Sequence, residues 1–117
     1  MTKVFLERDG VQYTVSCHDH ADSEASCAAV STLCYTLAGY LHNIPDLCEI
    51  EEEQLEPGAV RIVFRGKDLH ITLAGDKTAH YDADTIVQAA FDMICVGFLQ
   101  LEKSYPDAVS IIFQEIS

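Results

Sequence analysis

The chain has 117 residues, 49% of them apolar, which is enough to fill one core and predicts a single domain over 1–117. A net charge of −12 argues against direct nucleic-acid binding, which needs cationic side chains, and suits a basic protein or peptide partner, although acidity also serves solubility alone. Charges interrupt every apolar run, no leader pattern opens the chain, and five cysteines occur without a C-x-x-C spacing, so a reduced, cytoplasmic protein with no membrane contact and no cofactor is expected.

Residues 4–8 and 11–17 alternate apolar with polar around Asp9-Gly10, the two-residue signal for a type I′ hairpin. On the second strand Val11, Tyr13, Val15 and Cys17 form one face, expected to be buried, and His18 points the other way. The polar stretch from His18 to Ser23 then supplies helix N-cap residues. A helix follows, with Cys27, Val30, Cys34, Leu37 and Leu41 on one stripe, ending near His42-Asn43 ahead of Pro45. Its first turn contains Glu24 and Cys27.

The carboxylate-rich segment 47–56 leads to a Pro57-Gly58 turn and carries a strand near residues 48–50. Residues 60–65 and 69–73 read as strands around Gly66-Lys67-Asp68. Asp82 or Asp84 caps a second helix over roughly 83–104, with Ile86, Val87, Ala90, Ile94, Cys95 and Leu101 inward and Gly97 allowing close packing. Residues 109–116 form a last strand. The order β-β-α-β-β-α-β predicts an α+β domain, two long helices packed on a mixed, mainly antiparallel sheet.

The chemistry concentrates at His20 and Cys27. A cysteine in the first turn of a helix faces backbone N–H groups without helical partners and the positive end of the macrodipole, which favour thiolate over thiol. A histidine on the preceding loop can serve as its base, and the same N–H groups can stabilise an oxyanion. Pattern alone leaves another reading open, because Cys27 also lies on the apolar stripe where an inert core cysteine would sit.

His20-Ala21 followed by Cys27-Ala28-Ala29-Val30-Ser31 resembles the signature of the ribosomal-processing cysteine proteases, the Prp family, in which Gly-His-Ala precedes Asp-Ile-Val-Cys-Ala-Ala-Val-Ser. The order of elements is similar along essentially the whole chain. The resemblance implies Cys27 as nucleophile, His20 as general base, and removal of an N-terminal extension from a large-subunit ribosomal protein by a homodimer. Ser31 matches the family serine one turn beyond Cys27, and Glu24 stands near the pair as a possible supporting carboxylate. Asp19 replaces the glycine before the histidine, Glu24-Ala25-Ser26 replaces Asp-Ile-Val, and the intervening loop is shorter.

Two other functions fit the same residues. Cys17, His18, His20 and Cys27 offer side chains suited to zinc, although Cys17 and His18 should face opposite ways. A protein-binding module without turnover is the second, with Arg61, Arg65 and Lys67 set against Glu49, Glu51, Glu52, Glu53 and Glu56.

Overall fold

A computed structural model describes residues 1–19, 24–56, 58–75 and 77–116. Strands β1 (Thr2–Asp9) and β2 (Gln12–His18) are followed by helix α1 (Glu24–Asn43). Four strands come next: β3 (Cys48–Glu56), β4 (Ala59–Gly66), β5 (Asp68–Thr72) and β6 (Thr78–Asp82). Helix α2 (Asp84–Ser104) and strand β7 (Val109–Ile116) complete the chain.

Five strands form one sheet in the order β3-β4-β2-β1-β7, antiparallel except where β7 runs parallel to β1. This is the expected α+β arrangement of two helices on a mixed, mainly antiparallel sheet. Val4 and Leu6 of β1, Tyr13, Val15 and Cys17 of β2, and Ile62 and Phe64 of β4 enter one core with both helices. Tyr13, Phe64 and Phe91 pack ring on ring there, with Tyr13 centroids 5.6 Å from Phe64 and 5.0 Å from Phe91. Such pairs add to the burial of their large apolar surfaces.

The first hairpin turns one residue later than the Asp9-Gly10 signal suggests. Asp9 pairs with Gln12, so Gly10 and Val11 are the central residues. Only Gly10 has positive φ, at 60°, which fits a type II′ turn, whereas type I′ needs it at both positions. Val11 is therefore in the turn and exposed, while Tyr13, Val15 and Cys17 are buried as expected.

In α1 the buried stripe is Ser26, Val30, Cys34, Leu37 and Leu41, with Ala38 beside it. Cys27 stands off that stripe and is only partly covered. In α2 the inward side is Val87, Phe91, Ile94, Cys95, Phe98 and Leu101. Ile86 and Ala90 lie at its margin, and two phenylalanines take the central places expected of smaller side chains. Gly97 does face the other helix, where an added Cβ would lie 2.8 Å from Leu33 Cδ2. Ala83 occupies the N-cap, and Asp82 one residue earlier accepts the Asp84 N–H at 2.9 Å. Although α2 is long and apolar enough by composition to cross a bilayer, contrary to the sequence reading, its inward side chains belong to the core.

The segment 48–56 is a full edge strand and not the short one expected, with a bulge between Ile50 and Glu52. Its glutamates have side-chain partners: Glu52 pairs with Arg61 at 3.0 Å, Glu53 with His42 at 2.7 Å, and Glu51 accepts from Gln12. Charges and a bulge on an edge strand discourage further strand addition. Strand β6 was not foreseen; with β5 it makes a separate two-stranded ribbon, so the order gains one hairpin.

Candidate active site

The end of β2, the start of α1 and the β3–β4 turn meet at a cleft of about 70 Å³. Asp19, directly after β2, has φ of 68°, in the left-handed region that favours glycine and tolerates aspartate better than most residues. Its N–H donates to the Gly58 carbonyl at 3.1 Å, and its own carbonyl accepts from Thr2 Oγ1 at 3.4 Å. These bonds tie the exit of β2 to the opposite wall. A glycine would take up this backbone conformation without strain.

Cys27 is the fourth residue of α1. Side chains on a helix lean toward its N-terminus, so the Cys27 thiol is carried back over the first turn, where backbone N–H groups have no acceptor one turn earlier in the helix. Cys27 and Ser31, one turn apart, both line the cleft, with Tyr35 a turn further along. Leu55, Glu56 and Gly58 face them from the β3–β4 turn. Two carboxylates, Asp19 and Glu56, border a cleft whose walls include no cationic side chain among the described residues.

Cys17 and Cys34 form part of its floor, with sulfurs 3.5 Å apart. The hydrogen bond to Cys34, followed by burial, raises the Cys17 thiol well above its ordinary range and keeps it protonated. Burial, reinforced by the Asp92 charge, pushes Cys95 up to about 12, and burial also raises Cys48, with Lys67 opposing it weakly. Of the five cysteines, Cys27 alone is not buried.

Of the residues singled out in the sequence, Cys27 and Ser31 come together in this cleft. Glu24 is the first residue of α1; its side chain and the whole of His20 lie outside the described residues. The four-ligand zinc set divides as the strand alternation predicts. Cys17 is buried under α1, whereas His18 is exposed on the other face, bonded to Ser16 Oγ at 2.9 Å with its ring edge-on to Phe5. Tyr35 and Glu56 were not anticipated as cleft residues: helical spacing from Cys27 through Ser31 points to Tyr35, whereas nothing local in the sequence brings Glu56 and the β3–β4 turn to the start of α1.

Comparison with known proteins decides the family. The family model for the cysteine protease Prp matches residues 1–110. The chain belongs to the Prp family. Among solved structures, SMU.848 from Streptococcus mutans superposes with a TM-score of 0.66 at 22% identity, over 98% of each chain. The essential ribosomal processing protease Prp from S. aureus, in complex with a covalently linked product peptide, gives 0.65 at 15% identity, over 97% of this chain and 99% of that one. The same S. aureus protease in complex with a substrate peptide gives 0.66 at 14% identity, with the same coverage. All three structures share the fold of the present chain. No curated protein sequence matches it.

Proposed function

We propose that this Prp-family chain is a cysteine endopeptidase in which Cys27 is the nucleophile and His20 the general base. The observation that carries the reading is the position of Cys27, the one cysteine held out of the core, on the wall of a cleft and in the first turn of a helix. His20 immediately follows Asp19 in the sequence, and Asp19 lines that cleft, which supports the choice of His20 as the base. His20 takes the Cys27 proton, and the thiolate attacks the scissile carbonyl. The resulting oxyanion is met by N–H groups at the start of α1, and the imidazolium then protonates the leaving amine. Water, deprotonated by the same imidazole, hydrolyses the thioester and restores the thiol. Ser31 and Glu24 support the pair, Ser31 from the next turn of the helix and Glu24 from its first residue.

The substrate in this reading is the N-terminal extension of a large-subunit ribosomal protein, a reading supported by the likeness to the S. aureus ribosomal processing protease. Carboxylates at Asp19 and Glu56, together with the net charge of −12, suit a cationic peptide. The working form is a cytoplasmic homodimer of the one-domain chain. The outer side of α2 supports this, since Met93, Val96 and Leu99 are exposed where a solvated helix would carry charge. The test is cleavage of a synthetic N-terminal ribosomal-protein peptide by the wild-type chain, Cys27→Ala and His20→Ala. Both substitutions should abolish cleavage, and turnover unchanged in either one would overturn the dyad.

A further inference from the structure

The β5–β6 ribbon places three metal-binding side chains on one face. Asp68 pairs with Asp82, His70 with His80, and Thr72 with Thr78. Directly opposed residues in an antiparallel pair point the same way and side chains alternate along each strand, so these six share one face. Leu69, Ile71, Ala79 and Tyr81 take the other. The His70 and His80 rings lie 5.1 Å apart, and His80 Nε2 is hydrogen-bonded to Asp68 Oδ1. One ligand atom from each of Asp68, His70 and His80 falls within 4.8 Å of the other two.

We propose that Asp68, His70 and His80 form a binding site for a divalent transition-metal ion, zinc above all. Zinc with Zn–N distances near 2.0–2.1 Å and tetrahedral geometry places its ligand atoms about 3.3 Å from one another. All three side chains are exposed, so rotation about their own torsions closes the present spacing without moving the backbone. Two imidazoles and one carboxylate leave a fourth position for water, and this nitrogen and oxygen set favours zinc, copper or nickel over magnesium or calcium. Asp82, directly opposite Asp68 on the same face, adds negative charge, although one of its oxygens already accepts the Asp84 N–H. On binding, the metal takes the place of the hydrogen bond between His80 Nε2 and Asp68, and the neutral imidazole carries its one proton on Nδ1; no electron is transferred.

The effect is to tie β5 to β6. A two-stranded ribbon is marginal by itself, and this one belongs to no larger sheet. A cross-strand metal supplies the link that sheet neighbours provide elsewhere. None of the residues lining the Cys27 cleft is in the ribbon, so the two sites are separate.

The experiment uses the full chain without a histidine tag, treated with chelator and titrated with zinc by calorimetry. The titration is repeated on Cys27→Ala, which removes the accessible thiol as a competing ligand. One zinc per chain should bind both proteins. His70→Ala and His80→Ala should each weaken binding by about tenfold or more, while His42→Ala leaves it unchanged. Zinc should also slow amide exchange across residues 68–82. Absence of zinc binding, binding undiminished in both His70→Ala and His80→Ala, or binding lost in Cys27→Ala would each overturn the proposal.

Discussion

Asp19 holds a φ of 68° while its N–H donates to the Gly58 carbonyl, so one strained residue joins the end of β2 to the far wall of the cleft. A left-handed conformation costs an ordinary L-residue about 1–2 kcal/mol, and aspartate or asparagine less. Asp19→Gly should therefore keep or slightly raise stability, whereas Asp19→Val should lower it by about 1–2 kcal/mol. Urea unfolding of the three proteins checks the order, and equal stability of the valine and glycine variants would contradict it.

The cysteines should differ sharply in reactivity. Because the thiolate is the nucleophile, thiols held protonated by burial and hydrogen bonding stay inert near neutral pH. Cys17 and Cys95 are raised in this way, Cys48 is raised by burial and directs its thiol to the Leu41 carbonyl at 3.2 Å, and Cys34 is buried against Cys17. Native protein should take up one equivalent of iodoacetamide, located by peptide mass mapping at Cys27. Cys27→Ala should take up almost none until denatured.

Tyr13 links the core to the start of α2, donating from its hydroxyl to Asp84 Oδ1 at 3.0 Å. Burial first, then that hydrogen bond and the Asp84 charge, raise the tyrosine above its ordinary value. The folded state thus binds the phenolic proton more tightly than the unfolded chain does. This contribution is complete below the unfolded tyrosine value of about 10 and declines as pH rises beyond it. Wild-type stability should fall between pH 9 and 11 more steeply than that of Tyr13→Phe, as measured by denaturant midpoints at each pH.

Gly66 ends β4 against the entry to α2. An added Cβ would lie 2.6 Å from the Asp84 N and 2.7 Å from the Ala83 carbonyl carbon. Backbone cannot rotate aside as a side chain does, so Gly66→Ala should destabilise by about 2–3 kcal/mol. Gly97→Ala should be much milder, because its neighbour is a Leu33 methyl and alanine favours the helix. Thermal melts of the two variants separate these outcomes.

Element type was legible wherever hydrophobic period was strong. Both long helices, the first hairpin and the strands β4 and β7 follow from local patterns in which each residue's neighbours decide its conformation. The motif around Cys27 to Ser31 was equally local and pointed to the family before any fold was known. Strand β6, Thr78-Ala79-His80-Tyr81-Asp82, carries little aliphatic alternation and is made a strand by pairing with β5.

The sequence by itself determined the α+β layout and named Cys27, because helical period and a contiguous motif are properties of neighbouring residues. Only the tertiary structure decided that Ser26, and not Cys27, begins the buried stripe, since a one-position rotation of α1 on the sheet exchanges a core thiol for an accessible one. It likewise brought Glu56 to the cleft and His70 opposite His80, contacts set by strand register and helix docking between residues distant in the chain.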